Sequence, residues 1–450
     1  MTERRPVAGL DLAERLLGFA EAEGASEAEV LMLGGEEQLT RFANSQIHQN
    51  VAETNTQVNL RYVVDKQVGV TSTNRLDDES LRRLARSAAE IARLQPERED
   101  FQGLPEGGSP GYVAGAAAAA TREASPEQRA DGAEAVIAAA DAAGVLAYGS
   151  FKTVNERLAV ANSRGIRAEE ERTYAHLITV SMGPDGESGY AEAAAVDVED
   201  IDAAEVGREA AAKAGASRKA QSLEPGDYPV VLEEYAVVDL LDMLGYVGFS
   251  ALAVQEGRSF FEPGKTVGSE LVSIWDDAAD PAGTPASFDY EGVPKQRVQL
   301  LQNGVCREVV YDAQTAGKAG RHSTGHGLPA PNPWGPFPLN QLMAPGHHTR
   351  EELIGGLERG LLVTRFHYTN PVHPKLAIVT GMTRDGLFLV EGGEIRGPVR
   401  NLRFTQSYLT ALAGVEAVGS TCRLLRGFLG SVVVPAVRIA SFTFTGATEH

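Results

Sequence analysis

At 450 residues, with 43% hydrophobic and 23% charged residues, the chain is too long for one ordinary core and reads as a two-domain globular protein. A formal charge of −20 excludes ordinary nucleic-acid binding, which runs on Lys and Arg displacing counterions from phosphates. Apolar runs such as residues 246–254 are far below membrane-spanning length, and two distant cysteines, Cys306 and Cys422, offer no disulfide framework. The opening Met-Thr-Glu-Arg-Arg-Pro has no apolar stretch behind it, so no signal peptide is expected and the expected compartment is the cytoplasm.

Residues 11–22 predict a helix, with Leu12, Leu16, Leu17 and Ala20 on one face. A strand is expected over 29–33, then a polar segment containing Asn44-Ser45. The alternation of Val58, Leu60, Tyr62 and Val64, the turn at Asp65-Lys66 and the return through Val68-Gly69-Val70 predict a hairpin. Leu81, Leu84, Ala85, Ala88 and Ile91 mark a second helix, entered through Asp77-Asp78 and closed near Pro96. Residues 95–120 read as an exposed excursion rich in Pro, Gly and Ala, whose alanines are also able to extend a helix. Ser125-Pro126-Glu127-Gln128 has the serine cap, first-turn proline and third-position glutamine of a helix start, and that helix runs to Gly144. Strands follow at 147–153, 157–161 and 173–182, with turns at 162–165 and 183–186, then a helix over 203–214. The recurrence of an Asn-Ser turn, at Asn44-Ser45 and Asn162-Ser163, suggests a weak internal repeat.

A linker at 222–227 ends an N-terminal domain of mixed helices and strands (1–225). After it come a buried strand at 228–232 and a helix over 233–247, with Val237, Val238, Leu240, Leu241 and Leu244 on one face, acidic residues in its first turn and Gly245 as a stop. The texture then changes to short strands (271–274, 297–301, 376–380, 387–391, 432–439) among Gly and Pro, with one convincing helix at 350–359. The expected fold class is therefore α+β: residues 226–450 form a mostly antiparallel β domain holding a few helices.

Six of the nine histidines fall between His322 and His373, a density that invites a metal reading. They lie in glycine-rich loops, however, where no helix face fixes their geometry. Asp276-Asp277 and Asp289-Tyr290-Glu291-Gly292 are candidate carboxylate pairs, though acids beside glycine more often hold their own turns. Cys306 follows an Asn-Gly turn with no histidine at a telling distance, which argues against a nucleophile. The 233–247 helix carries no histidine and no cysteine.

The order of several short motifs resembles the TldD/PmbA family, metalloproteases also called modulators of DNA gyrase. These are Gly257-Arg258-Ser259-Phe260, Gly264-Lys265, Asp289-Tyr290-Glu291-Gly292-Val293, Ser323-Thr324-Gly325-His326 and the stretch from Gly381 through Glu394 to Pro398-Val399, with Asn44-Ser45 and the hairpin into Gly69 in the N-terminal half. The resemblance covers nearly the whole chain. In the family's catalytic members a helix carries His-Glu-x-x-x-His and a C-terminal cysteine completes the zinc site, with the glutamate as base. Histidines at i and i+5 lie about 140° apart on an ideal helix, so local widening or termination at a glycine must bring them together.

Anchoring that motif on Gly245 places Leu241 and Tyr246 at the histidine positions and Asp242 at the glutamate. Counting back from Ser259-Phe260 shifts the register by one, to Asp242 and Val247 with Met243 as the base. Both registers stand. The cysteine position falls near Leu429-Gly430, ahead of Val434-Pro435, with Cys422 too early, and no histidine lies between His176 and His322. By resemblance the chain is then a PmbA (TldE-type) member without the zinc ligands. That implies no cofactor of its own, a TldD-type catalytic subunit as heterodimer partner, and unfolded or extended peptides as substrates, with a homodimer of the chain alone left open. Two other readings compete: a stand-alone peptide-binding scaffold, and a hydrolase using His322, His326 and His367 with Asp276 or Asp289.

Overall fold

The computed structural model describes residues 9–107, 110–428 and 430–447. The N-terminal half contains α1 (Leu10–Ala22), β1 (Glu27–Ala43), β2 (Gln46–Val64), β3 (Gln67–Thr73), α2 (Asp78–Leu94), the short α3 (Ala119–Glu123), α4 (Pro126–Ala142), β4 (Leu146–Asn162), β5 (Arg167–Met182), β6 (Ser188–Ala195) and α5 (Ala203–Ala216). Its strands form one antiparallel sheet in the order β3-β2-β1-β4-β5-β6. The expected repeat is visible as two helix–three-strand–helix units that meet at β1 and β4. The turn at Asn44-Ser45 joins the first two strands of one unit and that at Asn162-Ser163 joins those of the other. Both Asn44 and Ser45 have positive φ (51° and 55°), a conformation asparagine tolerates better than most residues.

Period-two alternation gives this sheet two jobs. Val30 and Met32 of β1 and Leu60 of β2 face Leu12 and Leu16 of α1 and Leu81 and Ala88 of α2, while Phe42, Phe151 and Leu177 meet Val136, Val206 and Ala210 of α4 and α5. On the other face Leu31, Leu158, Val160 and Ile166 bury Phe288 of the C-terminal half. The segments expected as separate strands at 147–153 and 157–161 are one strand. β4 is paired on both sides, and ladder bonds to β1 and β5 carry it through Asn155-Glu156 despite their low strand propensity.

The C-terminal half contains β7 (Gly226–Leu232), α6 (Glu234–Val247), α7 (Ala251–Gln255), β8 (Ile274–Asp276), β9 (Val298–Gln302), β10 (Val305–Cys306), α8 (Ala313–Lys318), β11 (Asn340–Met343), α9 (Arg350–Gly355), β12 (Arg359–His373), β13 (Ile378–Glu391), β14 (Glu394–Pro398), β15 (Leu402–Ser407), α10 (Tyr408–Ala413), β16 (Val415–Arg426) and β17 (Ser431–Ala447). Most pairings are antiparallel; β11 with β17 and β12 with β7 are parallel. The mixed α+β class holds for the whole chain. The separate strands expected at 376–380 and 387–391 are the single β13, and the helix expected to reach Arg359 ends at Gly355.

The two halves are locked by a motif that resembled a carboxylate pair. The Asp289 carboxylate accepts the backbone N–H groups of Glu291, Val293 and Gly327, so it holds its own turn. Gly292 sits at φ +75°, where a Cβ would lie 2.4 Å from Ile166, and only glycine fits. Glu291 meets Arg61 of β2 at 3.1 Å, and Arg61 also meets Glu29 of β1 at 2.7 Å. Burial opposes the Arg61 charge, but the two glutamates raise its pKa and keep it protonated. Arg61→Ala would leave two buried carboxylates without their cation, and chemical denaturation should show a loss of about 3–5 kcal/mol. A loss below about 1 kcal/mol would show that the lock is not needed.

Candidate functional site

α6 starts where β7 ends. Glu233, its cap residue, donates its N–H to the Val363 carbonyl and receives Lys213 (2.7 Å) and Arg350 (2.5 Å) on its carboxylate. Burial acts to raise the Glu233 pKa, but these two cations overcome it and hold the group at about 2. Val237, Leu240, Leu241 and Leu244 sink into a core shared with Leu361 and Val363 of β12 and Val434 and Val437 of β17. The helix does not stop at Gly245. That glycine lies inside it because a Cβ would press on Pro338 and Gln341 at 3.2 Å. The end comes at Gly248, whose Cα faces the Phe260 ring, and the Ser259 hydroxyl donates to the Gly248 carbonyl at 2.7 Å. The Gly-Arg-Ser-Phe motif thus seals the C-terminus of α6.

The positions of the two zinc registers separate sharply. Leu241 and Val247 are buried in the core, Met243 packs against its edge, and Tyr246 is 41% exposed. Asp242 is different: its Oδ2 accepts the backbone N–H of Phe428 at 2.7 Å, in the hairpin between β16 and β17. Gly427 is pressed against the same carboxylate, where a Cβ would lie 2.6 Å from it. The helix and the C-terminal loop come together, with Asp242 at their junction. Leu429, expected at the cysteine position, lies outside the described residues. One turn earlier, Asp239 accepts hydroxyls from Thr369 (2.6 Å) and Tyr408 (2.7 Å).

This donor set does not suit zinc. Leucine, valine and tyrosine hydrocarbon offer no ligand, and Asp242 already spends an oxygen on a backbone amide. Among the described residues no group of three or more His, Cys, Asp or Glu is placed to hold a metal. Cys422 lies on β16 opposite Pro435; burial and Glu234 push its thiol up to about 11, away from the thiolate that zinc needs.

The histidines of the rival reading are not brought into one site. His322 is exposed and His367 is half-buried on β12. His326 is fully buried, its Nε2 2.8 Å from Asp276 Oδ1 and its Nδ1 2.9 Å from the Thr324 hydroxyl. The Asp276 carboxylate, held well below the usual range by Lys295 and His326 against the opposing effect of burial, can only accept. Nε2 therefore carries the hydrogen and Nδ1 accepts from Thr324. Burial, then Lys295, lowers the His326 pKa, so the ring is neutral with both nitrogens occupied. It braces the 323–327 loop against β8. Asp276 also takes the Asn340 N–H, which ties β8 to β11.

Burial lifts Asp242 to about 7, with Phe428 N–H opposing and Asp239 adding, and lifts Asp239 to about 6 against its two hydroxyl partners. A carboxyl whose folded pKa is raised keeps a proton that the unfolded chain has already lost. Its contribution is full below 3.8 and is lost as pH rises toward 7. Asp242→Asn can still accept from Phe428. It should flatten this fall in melting temperature and be more stable at pH 8 by about 1–3 kcal/mol. Parallel wild-type and variant curves from pH 4 to 8 would contradict the assignment.

Known proteins place these features. Residues 28–92, 116–218 and 225–446 match, respectively, domain 1, the central domain and the C-terminal domain of the PmbA/TldA metallopeptidases. A "Metalloprotease" of Methanothermobacter thermautotrophicus is 28% identical over 297 residues, 62% of this chain and 64% of that one. A "Metalloprotease TldD homolog" of Buchnera aphidicola (subsp. Schizaphis graminum) is 28% identical over 212 residues, 45% of this chain and 42% of that one. The chain therefore spans less than two thirds of the length of either relative. The crystal structure of TldE from Thermococcus kodakarensis shares the fold, with a TM-score of 0.88 at 20% identity over 97% of this chain and 100% of that one. The chain belongs to the TldD/PmbA family of metallopeptidases.

Proposed function

We propose that this chain is the non-catalytic subunit of a cytoplasmic two-subunit metallopeptidase, working with a TldD-type catalytic partner on unfolded or extended peptides. The observation that carries the reading is the junction of α6 with the β16–β17 hairpin, where Asp242 bonds the Phe428 amide and, among the described residues, no group of three or more His, Cys, Asp or Glu is placed to hold a metal. This reading takes the helix and the loop as the frame of a zinc site without its donors. In this reading no hydrolytic step runs through this chain's own residues. What it retains is shape: a sealed helix, a fixed hairpin, and Tyr246 and Phe428 exposed at 41% and 70% beside the vacated position. A same-fold neighbour named TldE and sequence relatives named TldD or metalloprotease support membership of a metallopeptidase family, within which we assign this chain the role of a second subunit. In that role, this chain supplies walls for an extended peptide while the partner supplies the metal.

The acidic balance of −20 supports a protein or peptide partner over nucleic acid. No helix among the described residues is long and apolar enough to cross a membrane. The hydrolase alternative loses ground because His326 has both ring nitrogens occupied.

The test is reconstitution. The chain and a TldD-type subunit bearing His-Glu-x-x-x-His are purified apart, mixed, and assayed on an unfolded polypeptide. Co-elution with cleavage that neither the chain alone nor metal-stripped partner gives is the expected outcome. Cleavage by the chain alone would overturn the reading, and failure to associate would favour a stand-alone scaffold.

A further inference from the structure

A cleft of about 330 Å³ opens where the N-terminal sheet meets the C-terminal half, walled by Leu33, Glu156, Tyr290, Pro331, Trp334 and Leu339 among others. It adjoins the vacated site. The Leu339 carbonyl accepts the Ser431 N–H, and a Cβ on Gly430 would lie 2.0 Å from that carbonyl oxygen; Pro338, next in the chain, presses on Gly245 of α6. The Pro338-Leu339 segment therefore joins the wall of this cleft to α6 and to the base of the β16–β17 hairpin.

The walls are chemically uneven. Trp334 is 52% exposed on a loop held by Asn332, whose side chain accepts the Trp334 N–H (2.9 Å) and donates to the Gly335 carbonyl (2.8 Å). Tyr290 is fixed by the turn that docks Glu291 on Arg61. Glu156 is the one acid in the lining, half-buried in the middle of β4, and makes no ion pair among the described residues. Two cations stand near Tyr290, Arg172 and Arg426, and both are engaged elsewhere. Arg172 bonds Glu170 (2.6 Å) and the Phe288 carbonyl (2.8 Å), and Arg426 lies over the Tyr174 ring. Arg172 faces Glu156 across the β4–β5 pair but is turned to Glu170, so a half-buried carboxylate with no ion pair among the described residues, set among aromatic and proline faces, is a receptor for a flat cation.

We infer that this cleft binds an arginine side chain of an extended peptide, with the guanidinium on the Glu156 carboxylate and its plane against Trp334. Arginine suits the cleft better than lysine because its weakly hydrated planar head stacks on an indole and forks onto a carboxylate, while its stem covers the prolines. The chain's −20 charge adds a long-range pull on cationic peptides. The assignment rests on the peptide-handling reading above and names the side chain it selects.

Titration calorimetry of the full chain with two unstructured peptides, identical except for one arginine replaced by citrulline, tests it directly. Citrulline keeps the shape and loses the charge. The arginine peptide should bind about tenfold tighter, and Glu156→Gln should erase that difference while leaving citrulline-peptide affinity in place. Trp334→Ala should weaken the arginine peptide in an otherwise unchanged fold, checked by circular dichroism. Equal affinity for the two peptides, or a preference that survives Glu156→Gln, overturns the arginine assignment and leaves the subunit reading standing. If neither peptide binds, alone or with the catalytic partner added, both fall.

Discussion

The bond between Asp242 and the Phe428 amide sets the geometry on which the functional reading depends. It joins a helix in the middle of the chain to a hairpin 186 residues later, the two pieces a helix-plus-cysteine zinc site must bring together. Metal would supply that cohesion in a zinc site. Here one carboxylate–amide hydrogen bond does so, while the apolar face of α6 against β12 and β17 carries the burial. The cost appears in the carboxylates. Asp239 and Asp242 are buried with no ion pair among the described residues, Arg426 acting on Asp242 only weakly against burial, and both pKa values rise. Such groups destabilise a fold at neutral pH, so keeping them implies a use for the shape they hold.

The rest of the C-terminal half is organised to keep that junction rigid. Gly245 admits Pro338 and Gln341 against the helix, Phe260 closes its end, and Glu233 anchors its start between Lys213 and Arg350. Lys213 belongs to α5, so this anchor ties α6 to the N-terminal half. The Arg61–Glu291 pair makes a second tie, and the turn bearing Glu291 also presents Tyr290 to the neighbouring cleft. Fold stability and the walls of the neighbouring cleft thus share residues.

Much of this was legible in the sequence. Amphipathic helices with clear caps, such as 78–94 behind Asp77 and 126–142 behind Ser125, follow from local pattern, and the Asn-Ser turns point to the repeat that organises the first sheet. Local pattern fails where long-range pairing decides. β4 runs through Asn155-Glu156 because strands flank it on both sides, and β11 and β12 take parallel partners, β17 and β7, that lie far away in sequence. The lack of zinc donors on α6 was readable residue by residue, since no histidine was there to misplace. The role of Asp242 was not, because its partner is a backbone amide with no side-chain signature. His326 shows the converse: a histidine in a suggestive cluster proves to be a structural brace once Asp276 and Thr324 occupy its ring. Glu156 gave no signal at all, since an acid in a strand stands out only when its neighbours are known.

The measurement that bears most directly on the account is the zinc content of the chain purified alone, without chelators, by plasma mass spectrometry against protein concentration. A ratio close to zero per chain is the predicted result, with zinc appearing only when a TldD-type partner is present. A ratio close to one in the isolated chain would contradict the vacated site and direct attention to His322, His326 and His367.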